Sequence, residues 1–130
     1  MTRNYKNGYP SALKSYFKDL DKIPLLTPKE KEAVKRRIMA GDESARELLV
    51  KHNLRYPVSI AMKYRGLGVS IEDLISECNL GLIEASRRYD PRRGTEFTSY
   101  CVWWCMKSAI IAINDQSSLV RIPISRSEEH

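Results

Sequence analysis

Apolar residues recur along this chain at helical spacing. Leu13, Tyr16, Phe17 and Leu20 share one face of a short helix expected over Ser11 to Leu20, and Pro24 then breaks it. Thr27-Pro28-Lys29-Glu30 carries three helix-start signals: a capping hydroxyl, a proline suited to the first turn, and a glutamate placed to complete a capping box. Gly41 is a stop signal, and Asp42 can cap the next helix, whose inward residues are Ala45, Leu48, Leu49 and His52. Pro57 implies a break or a fresh start near Asn53 to Tyr56, after which Val58, Ala61 and Met62, with Leu54, continue an apolar face. Gly66 and Gly68 mark a turn, and Ser70 caps a helix with Asp73 near its positive end. Leu74, Cys78, Leu82, Ala85 and Tyr89 form the stripe of that helix. A basic turn, Asp90-Pro91-Arg92-Arg93-Gly94, follows. Thr95 is expected to cap a long last helix reaching about Asn114, and Gln116 to Leu119 leads into extended Val120-Arg121-Ile122-Pro123. No stretch alternates like a strand.

The expected fold is therefore all-α, a compact multi-helix domain. Residues 1–10 read as a loose tail and 11–123 as the helical domain. Residues 124–130 read as the start of a following domain or a truncated tail.

Composition narrows the partners. The 130 residues carry a formal net charge of +6, which permits a polyanionic partner without naming one. Cys78, Cys101 and Cys105 form no C-x-x-C pair, and the odd count argues against a disulfide framework; a reducing, cytoplasmic setting is expected. With His52 and His130 far apart, no metal site is expected. There is no Gly-rich phosphate loop, H-E-x-x-H motif or Ser/His/Asp set. The chain is expected to be no enzyme, with no catalytic residues and no cofactor. No apolar stretch is long enough to span a membrane, and no membrane partner is expected.

Two constellations stand out. Asp73, Ser76, Glu77 and Asn79 lie off the Leu74–Leu82 stripe and form either a solvated face or a docking surface for a basic partner helix. Tyr100, Trp103, Trp104 and Lys107, with Phe97 a turn earlier, occupy one side of the last helix. An aromatic stripe of this kind is either core or a platform for unstacked bases. Two consecutive tryptophans point about a hundred degrees apart, so both are hard to bury fully. Arg87, Arg88, Arg92 and Arg93 stand just before them, suited to phosphates, and Thr98 and Ser99 add hydroxyls.

The segments Asn53-Leu54-Arg55, Asp73-Leu74-Ile75-Ser76-Glu77-Cys78-Asn79-Leu80-Gly81-Leu82, Tyr89-Asp90-Pro91-Arg92-Arg93-Gly94, Phe97-Thr98-Ser99-Tyr100, Trp103-Trp104 and Val120-Arg121-Ile122-Pro123 together resemble bacterial sigma factors of the primary type. The resemblance runs from about Tyr16 to Pro123. It implies the family's all-helical −10-binding domain, region 2, preceded by part of the adjoining region. It implies that Asp73, Ser76, Glu77, Asn79 and Ile83 dock on the clamp helices of the largest catalytic subunit of core RNA polymerase. It also implies that the domain recognises and melts the promoter −10 element by capturing flipped bases of the non-template strand. Tyr89, Asp90, Arg93, Tyr100 and Trp103 would form an adenine pocket, with Arg92 beside them on the DNA. Asn53, Thr98 and Ser99 would lie in a thymine pocket, and Trp103 and Trp104 would wedge against the upstream duplex. An anti-sigma regulator is a further partner of the kind such proteins have.

Several residues depart from the family pattern. Cys78 stands for a usual Gly, Ser76 for a common Gln, Tyr56-Pro57 for an aliphatic pair, and Glu96 for a common Lys or Arg. Lys107 replaces a Gln, and Ile110 a Thr, that face the first base pair of the −10 element. A lysine offers only donors, so Lys107 is expected either to favour a guanine there or to reach a phosphate. Glu96, Lys107 and Ile110 also favour a rival reading: a sigma mimic that occupies the clamp helices without melting DNA.

Overall fold

The computed structural model describes residues 11–117 and 121–124. Six α-helices follow one another: α1 (Ser11–Asp21), α2 (Pro28–Met39), α3 (Ser44–Lys51), α4 (Arg55–Lys63), α5 (Ile71–Arg88) and α6 (Phe97–Gln116). A 3₁₀ turn, Pro91–Arg93, sits between α5 and α6, and the described residues contain no strand. The expected tail 1–10 and residues 125–130 lie outside the described residues.

The helix starts obey local chemistry. The Thr27 hydroxyl accepts from the Glu30 amide, and the Glu30 carboxylate accepts from the Thr27 amide, a complete capping box. The Thr27 amide first, and the Thr27 side chain second, hold the Glu30 carboxyl below its ordinary pKa. α2 ends before Gly41, where the Gly41 and Asp42 amides return to the Ile38 and Arg37 carbonyls. Asp42 accepts from the Ser44 amide at the start of α3, and Ser70 accepts from the Asp73 amide at the start of α5. Pro57 falls in the first turn of α4, where its missing N–H costs nothing, and its ring is buried.

α5 and α6 are the centre of the molecule, and α4 packs against both. α2 packs on α3, and α3 on α5. The whole expected stripe of α5, Leu74, Cys78, Leu82, Ala85 and Tyr89, is buried. It meets Phe97, Cys101, Cys105, Ala109 and Ile113 of α6, with Phe17, Leu20, Val34, Ile38, Leu49 and Val58 around them.

α5 and α6 cross at very close range. A Cβ built on Gly81 would lie 2.6 Å from the Ser108 hydroxyl oxygen and 2.7 Å from the Trp104 carbonyl oxygen, so only glycine fits. A turn away, Cys78 Sγ lies 3.5 Å from the Cys105 carbonyl, and Cys105 Sγ lies 3.4 Å from the Cys78 carbonyl. The thiols act as small apolar residues with a weak donor. Burial pushes the Cys78 thiol far above its ordinary pKa; for Cys105 the Cys101 thiol does so first and burial second.

Two sequence expectations need correction. Thr95 does not cap α6: Glu96 holds the cap position without a side-chain bond, and the Thr95 carbonyl instead accepts from the Tyr89 hydroxyl at 2.7 Å. The Tyr89 bond holds the Thr95 backbone outside the helix, one residue before its cap position. α6 also runs two residues past Asn114, whose side-chain amide turns aside to clamp the returning chain. Its Oδ1 accepts from the Ile122 amide and its Nδ2 donates to the Ile122 carbonyl, both at 2.7 Å. Of the expected extended segment, Arg121–Pro123 is described and is irregular, whereas Val120 lies outside the described residues.

Candidate nucleic-acid interface

The connection between α5 and α6 builds the main cavity. Arg46, from α3, donates through one guanidinium nitrogen to the Ser86 and Tyr89 carbonyls, each at 2.8 Å, and so closes the C-terminus of α5. Asp90 then caps the 3₁₀ turn: its carboxylate accepts from the Arg92 amide and from the Arg92 guanidinium. Those bonds hold the Asp90 carboxyl below its ordinary pKa, the Arg92 side chain being the largest cause. Gly94 ends the turn at φ 77°, a left-handed conformation that glycine adopts without strain.

The result is an open cavity of about 570 Å³ lined by Arg88, Tyr89, Asp90, Arg93, Thr95, Ser99, Tyr100 and Trp103. Tyr89, Asp90, Arg93, Tyr100 and Trp103, grouped in the sequence analysis through a resemblance, are thus neighbours in space. Arg88 and Thr95 join them. Arg88 was legible only as one of four arginines, and Thr95 only as a cap.

The lining is a run of rings. Tyr89 meets Phe97 edge-on at 5.1 Å and lies 5.9 Å from Tyr100, which meets Trp104 at 6.4 Å. Trp104 and Trp103 stand perpendicular, at 89° and 5.3 Å. Their exposure differs. Tyr89 is buried and its hydroxyl is used, so it offers a wall rather than a free stacking face. Tyr100, Trp103 and Trp104 are half-buried. The Lys107 ammonium lies 5.0 Å from the centroid of each indole, and the Arg88 guanidinium carbon 5.3 Å from that of Trp104. Among the described residues, buried Nε1 of Trp104 finds no acceptor.

A second, smaller cavity of about 100 Å³ lies behind Tyr89, between α2, the α3–α4 junction and the start of α6. Leu25, Lys35, Asn53, Tyr56, Glu96 and Thr98 are among its lining residues. Asn53 is buried and donates to the Leu49 carbonyl at 2.8 Å. Asn53 and Thr98 therefore share this cavity, but Ser99 lines the larger one, because consecutive residues on α6 point about a hundred degrees apart. Glu96 reaches Lys35 at 3.1 Å and raises its pKa, tying α2 to the start of α6.

Arg92 faces away from the main cavity. It joins Arg46, Arg87 and Arg88 around a third hollow of about 350 Å³ that shares Arg88, Tyr89 and Asp90 with the first.

The outer face of α5 presents Asp73, Ser76, Leu80 and Ile83 to solvent, the last two 59% and 38% exposed. Glu77 and Asn79 are only half-buried neighbours of that patch, not freely exposed, and the Asn79 Oδ1 is buried with no partner among the described residues. Leu80 was missed in the sequence. It is the one leucine of α5 lying off the stripe, one turn beyond Ser76 and Glu77, and that displacement is the signal.

Among the described residues no group of His, Cys, Asp and Glu could hold a metal ion, and no helix is long and apolar enough to cross a membrane.

Residues 49–118 match the family described as Sigma-70 region 2. The chain is 43% identical over 116 residues to RNA polymerase sigma factor SigA of Clostridium acetobutylicum, covering 89% of this chain and 31% of that protein. Proteins of the same name from a Bacillus species and from Listeria monocytogenes are 40% identical over the same length. An all-helical fold with an arginine-flanked aromatic cavity thus coincides with close sequence similarity across most of the chain. The chain belongs to the sigma-70 region 2 family. It spans about a third of the length of the relatives it matches.

Proposed function

We propose that this domain acts in transcription initiation, docking on core RNA polymerase through the outer face of α5 and holding the opened non-template strand of the −10 element against α6. The observation that carries the reading is the open cavity of aromatic rings and arginines between α5 and α6. Extruding a base from a duplex costs a few kcal/mol, and stacking on an aromatic ring returns about 1–3 kcal/mol per base. In this reading Tyr100 and Trp103 supply the ring faces, Tyr89 the wall, Asp90 and Ser99 polar edges, and Arg93 the charge for a phosphate. Asn53 and Thr98 receive a second base in the smaller cavity. Trp104 backs Trp103 at the duplex edge. Arg92 belongs to the basic rim. Asp73, Ser76, Glu77, Asn79 and Ile83 form the polymerase contact, and exposed Leu80 adds apolar area at its centre.

Binding of the chain plus core polymerase to fork-junction DNA with a single-stranded −10 segment tests this. The complex is expected to prefer the fork to the closed duplex, and Glu77→Lys is expected to remove polymerase binding in a variant whose far-ultraviolet spectrum shows it folded. Equal affinity for fork and duplex overturns the melting role.

The Lys35–Glu96 pair favours a second reading, the sigma mimic, because it neutralises a cation beside the smaller cavity. That reading expects polymerase binding with no gain from fork DNA.

A further inference from the structure

We infer that Lys107 is a positioning residue for the Trp103–Trp104 pair and reads no base. It lies four residues after Trp103 and three after Trp104, so all three side chains fall on one strip of α6. The perpendicular indoles form a V, and the Lys107 ammonium sits 5.0 Å from both ring centroids. An ammonium so placed is attracted by both π faces at once, and it holds the angle between them. Among the described residues no carboxylate pairs with Lys107, so the indoles are its only charged-state partners there. A side chain that reached forward to a guanine edge or a phosphate would have to leave this seat.

The seat is anchored from α5 as well. Glu84 holds Arg88 at 2.7 Å, and Arg88 lies over the Trp104 ring. The series Glu84–Arg88–Trp104–Lys107–Trp103 is therefore one connected support running from α5 to the indole that lines the main cavity. Lysine at 107 fixes the presented ring without touching what the ring receives.

These are the chain's only two tryptophans, so its indole signals report on this pair alone. The test compares the full chain with Lys107→Met, Lys107→Gln and Lys107→Arg by near-ultraviolet circular dichroism and by acrylamide quenching of tryptophan emission. Far-ultraviolet spectra establish that each variant is folded. Lys107→Met and Lys107→Gln are expected to alter the indole dichroism and raise quenching, and Lys107→Arg to restore both toward wild type. Unchanged indole signals in Lys107→Met overturn the inference.

A second arm rests on the DNA-binding role proposed above. With core polymerase and fork DNA randomised at the first −10 pair, Lys107→Met is expected to weaken every sequence alike, by about fivefold for two lost cation–π contacts. Base preference and salt slope should stay unchanged. A changed base preference identifies a base reader, and a salt slope lower by about one identifies a phosphate contact; either overturns the inference. If the wild-type complex ignores such DNA, the proposed function fails, while the indole measurement still decides the role of Lys107.

Discussion

Trp104 and Cys105 are consecutive on α6, yet they belong to opposite regimes. Cys105 is fully buried where α6 crosses α5, its sulfur against a backbone carbonyl. Trp104 is half-buried, with two cations near its ring and an indole nitrogen that finds no acceptor among the described residues. The inner face of α6 uses small residues to bring two backbones together. The outer face carries large residues, Tyr100, Trp103 and Trp104, that the described helices cover only in part. Both faces are apolar, so hydrophobicity alone does not tell them apart; side-chain size and covering partners do.

Substitutions on the two faces should separate stability from binding. The largest effect is expected from Leu82→Ala, in the buried stripe, at about 2–5 kcal/mol of lost stability in urea unfolding. A loss near zero would mean that the crossing is not the centre of the core. Gly81→Ala is expected to cost about 1–3 kcal/mol, because the new methyl meets the Trp104 carbonyl and a backbone must shift. Alanine is the better helix former by about 1 kcal/mol, so a stabilised variant would show that the helices part freely. On the outer face Tyr100→Ala is expected to weaken single-stranded −10 binding with polymerase by about 1–3 kcal/mol, measured on protein confirmed as folded. If that variant loses stability but keeps its DNA affinity, Tyr100 belongs with the inner face.

The buried stripe of α5, which the inner face of α6 packs against, was the legible part. Helical periodicity found Leu74, Cys78, Leu82, Ala85 and Tyr89 because burial on α5 is a matter of angle, and angle follows from spacing. Thr27 and Ser70 were legible as caps because their partners lie three residues away. Interactions closed by distant residues were not. Thr95 has the right chemistry for a cap, but its position is set by Tyr89. Ser99 points about a hundred degrees from Thr98, but that a separate cavity lies on each side is set by the packed helices and not by the spacing. Glu77 and Asn79 lie at the edge of the α5 stripe, where angle alone leaves exposure undecided until the neighbouring helices are in place. Lys107 carried the charge of a DNA-binding residue, and only the structure showed that charge resting on two rings.

The close crossing of α5 and α6 also bears on how the chain acquires its shape. Their connection, from Tyr89 to Glu96, is short, and closing a short loop costs little chain entropy. Contacts between elements so near in sequence cost the least to close, so this hairpin is the expected nucleus for the remaining helices. The main cavity is built largely from that connection and the two helix ends beside it. Its lining is therefore expected to form with that hairpin and before α1 and α2, so substitutions at Leu82 should slow refolding more than equally destabilising ones at Phe17.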